Sequence, residues 1–239
     1  MKAKLAGLLV PFLAVWLVGG VAAAQGQYPT AATGVDVSWP NCSTSIPKAA
    51  VFGIVGVNNG KGFSANPCLK KEASHFLNLS LYANTGYPDS SFGLQYQNSP
   101  QTCASNDLPC LAYNYGYNAG LYAYNTAASN GLGSVKTWWL DVETMNTWTP
   151  DALQNQSSLK GESDALLAKG AATIGVYSTT AQWQTITGGW QNGWPSWGAT
   201  TWTTAKQAAG YCNGHQFTGG PSYLMQFLPK HSLDQDYAC

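Results

Sequence analysis

The feature that most constrains the fold is an alternation of short apolar runs with helical or long connecting segments. Strand-like runs occupy residues 34–39, 51–57, 79–83, 138–143, 173–178, 196–202 and 223–228. Apolar residues recur at helical spacing within residues 66–77, 114–130 and 150–170. Strands joined by such crossover segments pair in parallel. We therefore predict one domain with an α/β fold, an irregular TIM-like (β/α) barrel.

Two segments are less regular. Residues 91–97 are compatible with a further strand or with part of a long loop that extends from Pro88 to Pro109. The helical pattern at 150–170 contains Gly161, and glycine is a poor helix former, so we expect this helix to be broken or bent there. The run at 223–228 is the last clear strand in the pattern.

The amino terminus has the composition of an export signal. Lys2 and Lys4 precede an apolar stretch from Leu5 to Val18, and the small residues 22–24 resemble a cleavage site. The alternative is an uncleaved anchor, because the apolar run continues almost to Ala24. We predict cleavage near Ala24, which makes residues 1–24 a signal peptide and residues 25–239 a secreted, extracellular domain.

Six cysteines fit an extracellular location, where disulfides persist. Several pairings are open, and we choose the sequential one. It joins Cys42 to Cys68, Cys103 to Cys110, and Cys212 to Cys239. A zinc site would need paired Cys-x-x-Cys or His spacing, which is absent, so we predict neither a metal nor a cofactor.

Charge and aromatic content limit the class of partner. Charged residues make up 9% of the chain, acidic and basic residues are balanced at 11 each, and arginine is absent. A nucleic-acid-binding protein normally has a basic patch, so nucleic acid is excluded as a partner. Aromatic residues reach 13%, and exposed aromatic rings stack on the apolar faces of sugars. We expect a monomer that binds a neutral polysaccharide.

Two carboxylates in the strand at 138–143 provide a candidate catalytic pair. Asp141 and Glu143 are two residues apart, so on a strand they point to the same face, roughly 6.6 Å apart along the chain. Mutual repulsion raises the pKa of one acid while the other stays ionised. A neutral acid beside a carboxylate is the arrangement that glycosidic bond cleavage requires.

Several motifs together resemble glycoside hydrolase family 25, the N-acetylmuramidase-type lysozymes. Residues 34–38 are similar to the first strand of that family, and residues 140–143 to its Asp-x-Glu motif. Residues 175–178 resemble its Gly-x-Tyr-[Ser/Thr] strand, and residues 197–199 its Trp-x-Ala strand. Gln226 matches the glutamine of a near-terminal strand, and Leu233-Asp234 resembles a closing Val-Asp pair. The order and spacing agree across nearly all of the chain after the signal.

The resemblance implies a flattened barrel with an acidic groove that cleaves the β-1,4 bond between N-acetylmuramic acid and N-acetylglucosamine in peptidoglycan. It implies that Glu143 is the general acid. It also implies that Asp141 stabilises the developing positive charge or orients the substrate acetamido group. Asp36 and Asp234 would complete the acidic cluster. The implied substrate-binding residues are Tyr82, Tyr177, Trp197 and Gln226.

The sequence departs from the family at several places, which include the inserted cysteines and the long segment from Pro88 to Pro109. The family usually has an aromatic-x-Gln-Gly segment after its first Asp-x-Ser, whereas residues 39–42 are Trp-Pro-Asn-Cys here. An arginine that is usual in the second strand is also missing. These departures motivate an alternative, a catalytically inactive carbohydrate- or cell-wall-binding protein on the same barrel. A hydrolase for another β-linked polysaccharide is a third hypothesis.

Overall fold

The structure is a computed structural model that describes residues 28–230 and 232–239. The predicted signal peptide, residues 1–24, lies outside the described residues. The strands are β1 (Thr33–Val37), β2 (Gly53–Gly56), β3 (Leu79–Asn84), β4 (Thr137–Asp141), β5 (Thr173–Ser178), β6 (Ser196–Ala199), β7 (Ser222–Phe227) and β8 (Gln235–Ala238). The helices are α1 (Leu69–Ala73), α2 (Ser90–Leu94), α3 (Leu108–Ser129), α4 (Ala152–Ala168), α5 (Thr180–Thr187) and α6 (Ala205–Ala209).

The eight strands close into a barrel in the order of the sequence, which confirms the predicted barrel. Strands β1 to β7 run parallel to one another, as the pattern indicated. The last strand, β8, runs antiparallel to both β7 and β1 and closes the gap between them. The sequence analysis did not identify β8, because its four residues form no apolar run. Its strand conformation results from pairing with two open strand edges.

Alternation along each strand separates a barrel interior from an outer layer. Trp138 and Leu140 of β4 pack with residues of the surrounding helices, including Leu159 of α4. Trp139 points the other way and packs with Trp197 inside the barrel. Because alternate residues share a face, Asp141 and Glu143 continue the inward side of Trp139 beyond the end of the strand. The alternation therefore places both carboxylates at the mouth of the barrel.

Helices α3 and α4 cross with their backbones in close contact. A Cβ atom at Gly116 of α3 would lie 1.8 Å from the carbonyl oxygen of Ser158, and one at Gly161 of α4 would lie 2.0 Å from that of Tyr113. The predicted break at Gly161 is wrong, since α4 is continuous through this residue. Gly161 allows the close packing of α3 against α4, and this packing offsets its low helix propensity.

The segment from Pro88 to Pro109 lines a pocket beside the barrel mouth with residues that include Pro88, Phe92 and Tyr96. It contains the short helix α2, whereas the sequence analysis considered only a strand or a loop at 91–97. The side chain of Asp89 accepts a hydrogen bond from the amide of Ser91 and caps α2, a local signal that the sequence carried. Helix α3 begins at Leu108, six residues before the predicted start, with Asp107 as its N-cap.

Three disulfides are present with the sequential pairing. They join Cys42 to Cys68, Cys103 to Cys110, and Cys212 to Cys239. The last of these fastens the carboxyl-terminal residue to the segment after α6. Within the described part of the chain, no helix combines the length and apolar character needed to cross a lipid bilayer.

Candidate active site

A cleft of about 360 Å³ opens at the carboxyl ends of the parallel strands. Its lining includes all four acidic residues singled out in the sequence, which are Asp36, Asp141, Glu143 and Asp234. Tyr82, Tyr177 and Gln226 also line it. These residues come from β1, β3, β4, β5, β7 and the segment before β8. The barrel thus brings together side chains separated by nearly 200 positions in the sequence, as in other barrels whose active sites lie at this face.

The carboxyl groups of Asp141 and Glu143 form a hydrogen-bonded pair. Asp141 is 4% exposed, whereas Glu143 is partly exposed to the cleft. Burial, followed by the charge of Glu143, raises the pKa of Asp141 well above its ordinary value. Burial also raises the pKa of Glu143, but the hydrogen bond from Asp141 opposes that rise. A hydrogen bond between two carboxyl groups requires a proton, so the pair shares one, and the buried Asp141 holds it more strongly.

Two amide side chains hold this pair in place. Asn84, at the end of β3, donates from Nδ2 to Oδ2 of Asp141. Gln182 of α5 accepts hydrogen bonds from the amide nitrogen of Thr144 at 2.6 Å and from its hydroxyl at 3.0 Å. Its own amide donates to Glu143 and lowers the pKa of that acid. The other oxygen of Asp141, Oδ1, is buried and accepts no hydrogen bond from an amide or hydroxyl group among the described residues.

Asp36 belongs to a second hydrogen-bonded network that also lines the cleft. Gln226 donates from Nε2 to Asp36 at 3.0 Å and accepts at Oε1 from the hydroxyl of Tyr177 at 2.8 Å. Burial, followed by the negative charge of Asp234, raises the pKa of Asp36 to about 7. Asp236, fully buried, is hydrogen-bonded to Asp36 on the side away from the cleft. Asp36 is therefore protonated over much of the acidic range.

The structure places the remaining predicted residues differently. Trp197 does not line the cleft, because its ring is 2% exposed, packs against Tyr177 and donates from Nε1 to Asp236 at 2.7 Å. The expectation that Trp197 binds substrate is therefore wrong. Its ring instead packs beneath Tyr177, which does line the cleft. Asp234 lies on the exposed rim of the cleft.

From the sequence alone, Asn84 and Gln182 have no assigned role, and Asp236 is only a neighbouring candidate for the acidic position given to Asp234. A signal existed for Asn84, which follows Tyr82 by two residues and so shares its face of β3. Asp236 likewise shares the face of Asp234. No signal marked Gln182, because its contact with Glu143 depends on where α5 packs after β5.

One group of potential metal ligands lies close together among the described residues, namely Cys42, Cys68 and Glu72. Both sulfur atoms are bonded to each other in a disulfide, so they are not available as thiolate ligands. The acidic cleft itself does not combine ligands at metal-binding distances within the described residues.

Several solved structures share this fold. A family 25 glycosyl hydrolase of Streptococcus pneumoniae superimposes with a TM-score of 0.56 at 16% identity, covering 87% of this chain and 87% of that chain. A muramidase of Trichobolus zukalii gives 0.55 at 14% identity, with coverage of 87% and 94%. A bacterial lysozyme of Streptomyces coelicolor gives 0.52 at 13% identity, with coverage of 88% and 93%. At these identities the likeness establishes the fold alone.

Sequence comparison supports the same grouping. No curated protein sequence matches the chain. The family model described as "Lysozyme-like protein 1" matches residues 54–213, which is more than half of the chain. That range includes the Asp141–Glu143 pair, Asn84 and Gln182. The chain therefore belongs to the lysozyme-like protein 1 family, and its barrel is that of the family 25 lysozymes.

Proposed function

We propose that this protein is a secreted peptidoglycan hydrolase that cleaves the β-1,4 bond between N-acetylmuramic acid and N-acetylglucosamine. The observation that carries the proposal is the pair of neighbouring carboxyl groups of Asp141 and Glu143 in an open cleft, the first buried and the second partly exposed. Glycosidic cleavage needs a proton donor beside a carboxylate, and a single shared proton supplies both. Export is supported by the sequence of residues 1–24 and by three disulfides.

The chemical roles follow from the exposure of the two acids. Glu143 reaches the cleft and is the group that donates a proton to the leaving oxygen as the glycosidic bond breaks. The shared proton passes from Asp141 to Glu143 in the same step, which leaves Asp141 as a carboxylate. That negative charge then lies beside the positive charge that develops on the sugar ring, or holds its acetamido group. Water finally adds to the sugar and restores the proton to the pair.

Tyr82, Tyr177 and Gln226 form the polar lining that would contact the sugar. The hydroxyl of Tyr82 is hydrogen-bonded to Ser38, and that of Tyr177 to Gln226, so both rings are fixed before substrate binds. Asp36 acts through Gln226 and sets the position of Tyr177. These residues are proposed to bind and orient the substrate, whereas the proton transfer is assigned to Glu143.

The decisive experiment compares the wild type with Glu143→Gln on purified peptidoglycan. We expect release of reducing ends to fall by at least about 100-fold, because general acid catalysis contributes on the order of 10² to 10⁴ in rate. The control is Asp164→Asn, which removes a carboxylate that is paired with Lys160 on α4. Equal turnover in Glu143→Gln and the wild type, with both folded, would reject the proposal.

A second candidate is a catalytically inactive wall-binding protein on the same barrel. It is favoured by Pro40 and Asn41, which line the cleft where the family usually has a different segment. This candidate predicts that wild type and Glu143→Gln both bind peptidoglycan and that neither releases reducing ends. Parallel assays on chitin and plant β-glucans test the third hypothesis, in which the pair cleaves another β-linked polysaccharide.

A further inference from the structure

A second pocket adjoins the catalytic cleft. It has a volume of about 490 Å³ and lies between the segments that follow β2, β3 and β4 and the helices α2, α3 and α4. Asn84 lines this pocket and also donates a hydrogen bond to Asp141 in the cleft, so one side chain borders both cavities. We call it the aromatic pocket, after its lining residues Phe63, Phe92, Tyr96 and Tyr115.

The aromatic pocket offers ring faces to a ligand. Phe63 and Tyr96 stack with their centroids 5.4 Å apart and their planes within 7°. Tyr115 meets Phe63 and Tyr96 edge-on. Phe92, 42% exposed, extends the same wall toward solvent. The exposed ring surface of Phe92 and the partly exposed rings beside it match the C–H side of a pyranose ring.

Two polar groups lie in this apolar wall without partners. The Glu162 side chain, on α4, is 2% exposed and faces the pocket. Tyr115, on α3, is 8% exposed. Within the described residues, neither the Glu162 carboxyl group nor the Tyr115 hydroxyl has a hydrogen-bonding partner. Both residues line the open space of the pocket, where the carboxyl group and the hydroxyl are available to form hydrogen bonds with a ligand.

The close crossing of α3 and α4 positions these two groups. A Cβ atom at Gly120 would lie 2.6 Å from the backbone oxygen of Glu162, so only a glycine lets α4 approach α3 at this point. The charge of Glu162 contributes to the raised pKa of Tyr115, as expected for neighbouring groups. The crossing of the two helices therefore brings a carboxyl group and a hydroxyl group to the same pocket.

The wall of the aromatic pocket is held in place without a ligand. The side-chain amide of Asn114 donates to the backbone oxygen of Tyr96 at 2.8 Å and to that of Gln101 at 2.7 Å. The disulfide between Cys103 and Cys110 ties the end of the same segment to the start of α3. A ligand would therefore meet a formed surface and would lose little free energy in ordering it.

We propose that the aromatic pocket is a subsite for a pyranose unit of the glycan chain whose neighbouring bond is cleaved at Asp141 and Glu143. In this subsite the sugar stacks on the aromatic wall, while Glu162 and the Tyr115 hydroxyl pair with its hydroxyl or acetamido groups. This inference rests on the proposed function, because it assigns a further part of the same substrate. The shared border at Asn84 provides the continuity between the two sites.

Charge favours a sugar over the other group that aromatic rings and a carboxylate can recognise, a peptide ammonium. Lys61 lies on the lining and would repel a second cation. Burial, followed by the charge of Asp141, raises the pKa of Glu162 well above its ordinary value. A raised pKa favours the neutral carboxyl group, which donates a hydrogen bond to a sugar oxygen, over the carboxylate, which would form an ion pair with an ammonium group.

The test measures binding of a tetrasaccharide and a disaccharide of alternating N-acetylglucosamine and N-acetylmuramic acid by titration calorimetry. All proteins carry Glu143→Gln, so that the ligand is not consumed. Tyr115→Phe removes one unpaired hydroxyl, and Glu162→Met removes the carboxyl group. Tyr113→Phe is the matched control, because its hydroxyl lies on the same helix but donates to Asp164 outside the pocket.

We expect each pocket variant to weaken tetrasaccharide binding by at least about fivefold, the effect of one lost hydrogen bond, and to reduce its advantage over the disaccharide. Unchanged affinity in both variants, equal loss in Tyr113→Phe, or no tetrasaccharide binding at all would overturn the proposal. Glu162-dependent binding of a sugar-free stem peptide would show that the pocket recognises an ammonium group, and would also overturn it.

The outcomes for the two proposals are separable. Glu143-dependent turnover with binding that is indifferent to Tyr115 and Glu162 would overturn the subsite alone. Tetrasaccharide binding that depends on both residues, in a protein without turnover, would support the subsite and reject the hydrolase.

Discussion

The carboxyl group of Asp141 is hydrogen-bonded to that of Glu143, with the first buried and the second open to the cleft. Strand alternation puts the two on one face, and closure of the barrel buries the one nearer the strand. The difference in burial separates their roles, because the buried acid keeps the proton at rest while the exposed acid can reach a substrate.

Replacing Asp141 tests this division of roles. In Asp141→Asn the proton donor of the pair is lost, together with the negative charge that the reaction would expose. We expect kcat on peptidoglycan to fall by about 10² to 10⁴. KM should change little and the unfolding midpoint should be preserved, because asparagine is isosteric. Steady-state kinetics and thermal unfolding provide the measurements, and wild-type kcat in a folded variant would contradict the assignment.

Gln182 is predicted to position Glu143. In Gln182→Ala the hydrogen bond that lowers the pKa of Glu143 is lost, so that pKa rises. The general acid then stays protonated to higher pH, and the alkaline limb of the kcat profile should shift upward. We also expect kcat to fall by about tenfold to 100-fold, as for small misplacements of catalytic groups. Gln184→Ala, an exposed position on the same helix, should leave the pH profile unchanged. A fall in kcat without a shift in the profile would indicate a structural role only.

Asp36 should make stability depend on pH in the opposite sense to most carboxylates. Its pKa is raised from 3.8 to about 7 in the folded protein. Between these values the folded state binds more protons than the unfolded state, so the free energy of unfolding decreases as pH rises. Over that window, Asp36→Asn should gain about 1 to 3 kcal/mol relative to the wild type, because the amide cannot ionise. Chemical denaturation at several pH values measures the difference, and a constant gap between the two proteins would contradict it.

The crossing of α3 and α4 should tolerate no side chain at Gly116. Alanine normally stabilises a helix relative to glycine by about 1 kcal/mol, but here its Cβ would overlap the oxygen of Ser158. We expect Gly116→Ala to lower the free energy of unfolding by about 3 kcal/mol, as for overpacked sites. Gly62→Ala is the control, since its nearest neighbours would lie 3.9 Å away. If urea denaturation gave the two variants the same free energy of unfolding, the helices would be able to move apart at little cost in free energy.

Local signals predicted much of the barrel. The apolar runs located β1 to β7, because a strand buried on both faces needs continuous apolar residues. The Asp-x-Glu spacing in β4 put two carboxylates on one face, since side chains alternate along a strand. The helical pattern at 150–170 likewise located α4, whose N-cap is Asp151. Each of these features is set by neighbours a few residues away.

What local pattern did not reveal depended on distant contacts. Strand β8 forms because β7 and β1 leave two open edges, and α4 continues without a break through Gly161 because α3 lies against it. The sequence by itself determined the positions of the parallel strands, the six cysteines available for disulfides, and the acidic pair at the end of β4. Only the tertiary structure decided which acid of that pair is buried, placed Gln182 beside Glu143, and brought Glu162 and Tyr115 to one pocket. These are properties of distance and solvent exposure, which the chain acquires when its helices pack around the closed barrel.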